Sequence, residues 1–228
     1  MLRGAIERLS RNRVISRKLG NGASIFVSPD SALRYWKSLK NDPLGQLAAD
    51  FVDEKSVVWD VGANCGTFAF SAVHAANVVA IEADPFLANL LQRTVLRNGW
   101  SNVELVCAAV SDSRGLAEFT IAHRGRSSNF LTKAVGRSQA GGSRAVLTVP
   151  TVTLDDLLDH RPAPTFIKID VEGAEVDVLR GATRLLSEAR PVFYIEVDAA
   201  QADACRAIFS SADYAIEGDY DWIARPSI

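Results

Sequence analysis

The chain has 228 residues, of which 48% are hydrophobic and 23% are charged, a composition that is ordinary for a globular protein. Its net charge of −2 disfavours a general nucleic-acid binder, which is usually basic. The three cysteines are far apart and form no C-x-x-C pair, so the sequence predicts neither a disulfide framework nor a zinc site and favours a reducing, cytoplasmic compartment. No apolar run approaches the roughly 20 residues that cross a bilayer.

Residues 1–55 are predicted to form an extension ahead of the main domain. Its first 20 residues are rich in Arg and Lys and contain a single acid, Glu7. A solvated basic helix at the domain edge is the simplest interpretation, and a transit peptide or a surface anchor for an anionic partner are the alternatives. A strand over 24–27 and helices from about residue 31 and over 44–52 follow.

From residue 57 onward, predicted strands and helices alternate. The strands are rich in Val and Ile without polar alternation, which indicates a parallel sheet that is buried on both faces. These strands cover 57–61, 78–82, 103–108, 165–170 and 192–197. The helices cover 67–76, 86–97, 174–186 and 201–210, and a hairpin covers 214–217 and 220–224. The alternation predicts a doubly wound α/β sandwich over residues 56–228.

A segment at about 119–154 interrupts this alternation. It contains no Asp or Glu, but five basic residues and four glycines. Strands over 117–122 and 145–152 are predicted to pair as a ribbon around a long, basic, flexible loop. Loops of this length are often lids or binding loops. The basic residues favour an anionic acceptor, and a merely solvated loop is the alternative.

The stretch VVWDVGANCGTFAF, residues 57–70, places an acid and a glycine-punctuated turn between a strand and a helix. Asp60 stands where the strand ends, and a helix-capping role is its structural alternative. Gly62, Asn64 and Gly66 follow in a turn of little bulk, where backbone N–H groups and the positive helix end approach a ligand. The spacing differs from the dinucleotide and phosphate-loop fingerprints. It suits a ligand with a cationic amine and a sulfonium, namely S-adenosylmethionine.

Acidic residues end the strands at the edge where a doubly wound sheet binds ligands. Glu82, which lies 20 residues after the first glycine of the turn, can accept two hydrogen bonds from a ribose diol, and a surface carboxylate is the alternative. The stretch IKIDVEGAE brings four ionisable side chains, Lys168, Asp170, Glu172 and Glu175, to the exit of a buried strand. Charges there need partners, which favours a catalytic or metal-binding role over a purely structural ion-pair network.

Together, VVWDVGANCGTFAF, VVAIEADP, CAAVSD, TLDDLL and IKIDVEGAEVDVLRGA resemble the FkbM-type S-adenosylmethionine-dependent methyltransferases over residues 23–198. The resemblance implies a Rossmann-like class I methyltransferase sheet of seven strands in the order 3-2-1-4-5-7-6, with the seventh antiparallel. It also implies O-methylation of a hydroxyl on a sugar, glycolipid or natural-product acceptor. A non-catalytic cofactor-binding scaffold and an NAD-dependent reductase are the alternatives.

The resemblance also assigns roles within the site. The residues implied to bind S-adenosylmethionine are Asp60, Gly62, Ala63, Asn64 and Gly66 around its methionine part, Glu82 at the ribose, and Ala109 and Val110 at the adenine. Asp84 is placed near the adenosine, and Ser127 and Ser128 in a loop over the site. The family often ends its fifth strand with glutamate-x-histidine, whereas this chain reads Glu196-Val197-Asp198, so the base is left open.

Two hypotheses describe the chemistry. In the first, Asp170 and Glu196 bind Mg²⁺ together with Glu172 or Asp198, and the metal lowers the pKa of the acceptor hydroxyl. In the second, no metal is needed, and Asp170, Glu172 or Lys168 acts as the base or positions it. His123 is the histidine to test as a base. The expected partner is a small-molecule or glycan acceptor, with a homo-oligomer left open.

Overall fold

The computed structural model describes residues 6–7, 9–133 and 141–227. The strands are β1 Ile15–Lys18, β2 Ser24–Val27, β3 Val57–Val61, β4 Asn77–Ile81, β5 Val103–Val106, β6 Ala109–Val110, β7 Gly115–Ala122, β8 Phe130–Leu131, β9 Ser143–Val152, β10 Phe166–Ile169, β11 Val192–Glu196, β12 Tyr214–Glu217 and β13 Asp221–Pro226. The α-helices are α1 Pro43–Phe51, α2 Thr67–Ser71, α3 Pro85–Asn98, α4 Leu154–Leu158, α5 Glu175–Arg180 and α6 Ala202–Ser211.

Seven strands form the central sheet in the order β12-β13-β11-β10-β3-β4-β5. The five strands from β11 to β5 are parallel, and β13 is antiparallel to both of its neighbours. Numbered by their place in this sheet, the strands run 6-7-5-4-1-2-3, which is the predicted order read from the other edge. The predicted fold class is therefore confirmed.

Both faces of the sheet are buried, because apolar side chains point to alternate sides along the strands, and the charged residues among them, Asp60 and Lys168, pair with each other. Val58, Val78 and Phe166 belong to a core that contains buried residues of α1, α2 and α3. Trp59 and Val79, one position on, belong to a second core that contains residues of α4, α5 and α6. The helices therefore cover the sheet from two sides and leave its edges for loops.

Two predicted helices are shorter than expected. Helix α2 ends at Ser71 rather than at 76. The helix predicted over 174–186 is interrupted after Arg180, and a π-helical turn, Leu185–Ala189, follows. The interruption falls at Gly181, where the backbone passes so close to the carbonyl of Ser111 that a Cβ would overlap it.

The inserted segment is more ordered than the sequence predicted. Strands β7 and β9 pair antiparallel as the predicted ribbon, and β6 and β8 extend it to a four-stranded sheet in the order β6-β9-β7-β8. A 3₁₀ turn, Arg126–Ser128, precedes β8. Part of the predicted loop therefore has regular structure, its flexibility stays a prediction, and residues 134–140 lie outside the described residues.

The N-terminal part contains an antiparallel pair, β1 and β2, and a 3₁₀ turn, Leu33–Trp36, where a helix was predicted. The predicted basic helix falls partly outside the described residues, and the division at about residue 55 stays a prediction. In the described part of the chain, no helix has the length and apolar character that a bilayer crossing requires.

Candidate functional site

A cleft of about 580 Å³ lies beyond the carboxyl ends of β3, β4 and β10. The predicted site residues that line it are Gly62, Asn64, Glu82, Ala109, Val110, Asp170 and Glu172. No role was predicted for the other lining residues, which are Val61, Ile81, Ala83, Ala108, Phe119, Arg126, Asn129, Leu131, Val171 and Ala174. Ser127, which the resemblance placed over the site, also lines it.

The turn between β3 and α2 forms one wall of the cleft. The N–H groups of Gly62 and Ala63 both donate to the carbonyl of Ile81, at 3.0 and 2.9 Å, which ties the turn to β4. Gly62 has a φ of +77°, and a Cβ there would overlap the main-chain oxygen of Asp170. Gly66, at a φ of +78°, precedes the first residue of α2. The glycines therefore allow the backbone to pass between two strand ends.

Asp60 lies beneath this turn and does not line the cleft. It is fully buried, and its Oδ2 accepts a hydrogen bond from the N–H of Ala69 in α2 at 3.1 Å. This bond is the helix-capping role that the sequence left open for Asp60, and it uses one of the two carboxylate oxygens. Asp60 is placed to position the turn rather than to touch a ligand in the cleft.

Glu82 follows the end of β4 and is held by two backbone donors. Its Oε2 accepts from the N–H of Asn64 and its Oε1 from the N–H of Asp84, each at 2.7 Å. Burial raises the pKa of Glu82 to about 7. A carboxylate offers about four lone-pair sites, so two remain for a ligand in the cleft.

Lys168 lies between two carboxylates at the end of β10. Its ammonium group is 3.4 Å from Asp60 Oδ1 and 3.5 Å from Asp170 Oδ2. Burial lowers the pKa of Lys168, but the charges of Asp60, Asp170 and Glu196 outweigh burial and raise this pKa well above its usual value. Lys168 is therefore a protonated group at neutral pH.

Glu196 ends β11 beside Asp170, because Ile169 and Ile195 are partners in the parallel register. Burial, and then the Asp170 carboxylate, raise the pKa of Glu196 to about 7. Among residues 6–7, 9–133 and 141–227, no three His, Cys, Asp or Glu side chains are grouped to hold a metal ion. The structure thus gives no support to the magnesium hypothesis for Asp170 and Glu196, and the cation beside Asp170 is the ammonium of Lys168.

Apolar side chains form the far end of the cleft. Ala109 of β6 packs with Phe119 of β7, Leu131 of β8 and Ala174, which precedes α5, in a small buried cluster. Val110 lines the same end. The sheet of the inserted segment therefore covers this end of the cleft with a flat apolar surface.

Arg126 connects three parts of the chain at the cleft. Its Nη1 donates to Asp84 Oδ2 at 2.6 Å and its Nε to Asp30 Oδ2 at 3.0 Å, and its guanidinium lies 4.4 Å from the ring centroid of Phe86. Asp84 Oδ2 also accepts from Asn129 Nδ2 at 2.8 Å. Because the carboxylates of Asp30 and Asp84 are only 4% and 1% exposed, these ion pairs are shielded from water.

Two other basic residues of the inserted segment, Arg144 and Lys133, pair with the protein's own acids. Arg144 donates two hydrogen bonds to Asp30, at 2.8 and 3.1 Å. Lys133 Nζ lies 3.6 Å from Asp177 Oδ2 and 3.8 Å from Asp112 Oδ1. These pairs tie the segment to the N-terminal part on one side and to α5 on the other.

His123 is exposed and does not line the cleft. Its Nε2 lies 3.4 Å from Nη2 of Arg11. The structure therefore places His123 apart from the groups that surround the cleft.

The sheet order and the cleft at its carboxyl edge define a Rossmann-like methyltransferase fold. Residues 60–216 match the family model described as the methyltransferase FkbM domain. Because the match covers more than half of the chain, the chain belongs to the FkbM methyltransferase family, and the resemblance seen in the sequence is confirmed.

Known proteins support this assignment. The chain is 30% identical over 156 residues to the hexuronic acid methyltransferase AglP of Haloferax volcanii; the aligned region is 68% of this chain and 61% of that relative. The chain therefore spans about three-fifths of the relative's length.

Two solved structures show the same fold. Methyltransferase FkbM from Methylobacillus flagellatus KT has a TM-score of 0.55 at 20% identity, over 75% of this chain and 44% of that one. Precorrin-6y C5,15-methyltransferase from Geobacter metallireducens GS-15 has a TM-score of 0.52 at 13% identity, over 86% and 93%. At these identities the likeness concerns the fold alone.

Proposed function

We propose that this chain is an S-adenosylmethionine-dependent methyltransferase that methylates a hydroxyl oxygen of a sugar-containing acceptor. The observation that carries the proposal is the buried carboxylate of Glu82 at the cleft, held by the N–H groups of Asn64 and Asp84 with two lone-pair sites left over. Family membership and the name of the Haloferax volcanii relative support it.

The residues present fit S-adenosylmethionine from end to end. Glu82 would accept both hydroxyls of the ribose. Ala109 and Val110, with Phe119 of the inserted sheet, would enclose the adenine in the apolar end of the cleft. The Asp170 carboxylate would face the cationic amino acid part at the turn of Gly62 and Asn64. Ala63 and Gly66 shape that turn from behind, and Asp60 supports it from below.

When bound, S-adenosylmethionine supplies an electrophilic methyl group, so that an O–CH₃ bond forms, the S–CH₃ bond breaks and the acceptor hydroxyl loses a proton. The chain must hold the acceptor oxygen in line and take that proton. Asp170 lines the cleft with its side chain 32% exposed, so it is placed to accept the proton. Lys168, being protonated, would hold Asp170 in position rather than serve as a base.

Glu172 is the second carboxylate at this exit. It lines the cleft and has a φ of +56°, a left-handed conformation that is uncommon for a residue with a side chain and that often occurs at functional sites. We propose that Glu172 contacts the acceptor or the amino acid part of the cofactor beside Asp170.

Calorimetric titration with S-adenosylmethionine tests the cofactor assignment, with NADH as the comparison ligand. We expect binding of the first and none of the second. Glu82→Ala should weaken binding by about tenfold or more through the loss of two charge-assisted hydrogen bonds. Glu118→Ala, at an exposed glutamate of β7, is the control and should bind like the parent chain. Transfer of a labelled methyl group to free hexoses and hexuronates tests the acceptor class. Asp170→Asn should lower kcat even at saturating S-adenosylmethionine, because it removes the proposed proton acceptor.

A further inference from the structure

A second cavity of about 670 Å³ adjoins the cleft. One wall is the N-terminal segment at residues 29–33, and the other is the turn of the inserted segment that contains Arg124, Ser127 and Ser128. Ser127 lines both this cavity and the cofactor cleft. The two cavities therefore lie next to each other at Ser127.

The two walls are fixed to each other and to the cofactor turn. The N–H groups of Arg126 and Ser127 donate to the carbonyls of Asp30 and Ser31, at 2.9 and 3.1 Å. The hydroxyl of Ser31 in turn donates to Oδ1 of Asn64 at 2.6 Å. Because Asn64 belongs to the turn at the polar end of the cleft, the second cavity adjoins that end. The apolar end is covered by Phe119 and Leu131.

The lining of the second cavity combines hydroxyls and small apolar surfaces with two acidic residues, Glu7 and Asp30, and Asp30 is already bound by Arg126 and Arg144. Ser127 and Ser128 are half-buried, and within the described part of the chain neither side-chain hydroxyl bonds to another protein group. Pro29 and Leu33 supply apolar contacts, and Arg124 stands at the same wall. Hydroxyl groups that accept and donate, beside apolar surface, suit a pyranose ring, which carries hydroxyls around its rim and C–H groups on its faces.

We propose that this second cavity is the acceptor subsite and that it holds a pyranose sugar, with the reacting oxygen entering the cleft past Ser127. The proposal rests on the function proposed above, since it supplies the acceptor to the same cofactor cleft. It assigns Ser127 and Ser128 as residues that contact the acceptor. A neutral hexose and a hexuronate share the ring that this cavity would recognise.

Ser128→Phe tests the proposal, because it fills the second cavity from a residue that does not line the cofactor cleft. The control is Ser101→Phe, which adds the same ring at an exposed serine elsewhere. Glucose and glucuronate serve as the probes, and their binding is followed by saturation-transfer NMR with and without S-adenosylmethionine. The relative signals of the two sugars in the parent chain identify a neutral or an acidic acceptor.

We expect Ser128→Phe to abolish the sugar signal and to raise the acceptor KM by about tenfold or more, with the calorimetric affinity for S-adenosylmethionine within about twofold of the parent value. Ser101→Phe should change neither quantity. An unchanged sugar signal or KM in Ser128→Phe, or no binding of either sugar to the parent chain, overturns the acceptor subsite. If the parent chain does not bind S-adenosylmethionine, that result would instead count against the proposed function.

If Ser128→Phe does not fold, the double variant Ser127→Ala, Ser128→Ala takes its place. It removes both hydroxyls without adding volume. A rise of about fivefold or more in the sugar dissociation constant supports direct contact. An unchanged dissociation constant overturns it.

Discussion

The ammonium group of Lys168 lies 3.4 Å from Oδ1 of Asp60 inside the sheet, where the two side chains are 3% and 1% exposed. The parallel register of β10 and β3 makes these two residues direct neighbours. The second oxygen of Asp60 accepts from the N–H of Ala69. One buried acid therefore connects β10 with α2, the helix that follows the glycine turn after β3, and the same Lys168 ammonium group also pairs with Asp170.

Lys168→Met should lower the free energy of unfolding by about 3–5 kcal/mol, because breaking a buried ion pair leaves the other charge without compensation. Urea denaturation measures the change. Lys55→Met, at an exposed lysine, is the control and should change the free energy by less than about 0.5 kcal/mol. A loss for Lys168→Met no larger than the loss for the control would contradict the view that Asp60 depends on this ammonium group.

The affinity for S-adenosylmethionine should fall as the pH is lowered through neutrality. Burial raises the pKa of Glu82 to about 7, whereas a ribose diol that donates two hydrogen bonds favours the charged carboxylate. Binding below that pKa must therefore remove a proton from Glu82, and the dissociation constant at pH 6 should be about tenfold higher than at pH 8. Isothermal calorimetry at several pH values gives the profile.

Two variants separate Glu82 from Glu196, a second carboxyl whose pKa is raised to about 7. Glu82→Gln should bind more weakly and lose the pH dependence. Glu196→Gln, which changes a residue outside the cleft lining, should keep it. A profile that persists in Glu82→Gln would assign the proton to another group.

Gly62→Ala and Gly99→Ala separate the cost of a backbone conformation from the cost of a collision. Both glycines have a positive φ, +77° and +69°, but only at Gly62 would the new Cβ meet the main-chain oxygen of Asp170, while Gly99 has open space around it. Gly99→Ala should lose about 1 kcal/mol of stability, the cost of the left-handed conformation. Gly62→Ala should lose about 3 kcal/mol or more and also cofactor affinity, since the turn must move. Equal losses in chemical denaturation would show that the turn relaxes freely.

The sequence showed the parts of the site that depend on local pattern. The turn from Gly62 to Gly66 and the acid at Glu82 follow from strand ends and spacing, and the sheet order followed from the family resemblance. What the sequence could not show is which distant charges meet. Lys168 was a candidate base until the register placed it against Asp60.

The inserted segment illustrates the same limit. Its composition is basic, so an exposed loop that attracts an anionic acceptor was a reasonable interpretation. Asp30 and Asp84, the acids that pair with Arg126, lie far from it in the sequence, and no local motif indicates the pairing. The strands β7 and β9 were predictable from β-branched and apolar residues, whereas the docking of their connecting turn is a tertiary contact.

Arg126→Met should destabilise the fold by about 3 kcal/mol or more, because it leaves Asp84 and Asp30 buried with fewer partners. It should also raise the dissociation constant for S-adenosylmethionine by about tenfold. The reason is that Asp84 donates its N–H to Glu82 while its carboxylate is held by Arg126 and Asn129. Denaturation and calorimetry on the same protein give both numbers.

Arg144→Met is the matched control, since Arg144 pairs with Asp30 but has no bond to Asp84 among the described residues. It should lower stability less than Arg126→Met and leave the dissociation constant for S-adenosylmethionine within about twofold of the parent value. Equal effects of the two variants on cofactor affinity would mean that the inserted segment acts only through its attachment to Asp30. A larger effect of Arg126→Met shows that the effect does not run through Asp30, the acid that the two arginines share, and leaves the bond to Asp84 and the place of Arg126 in the cleft lining as its routes.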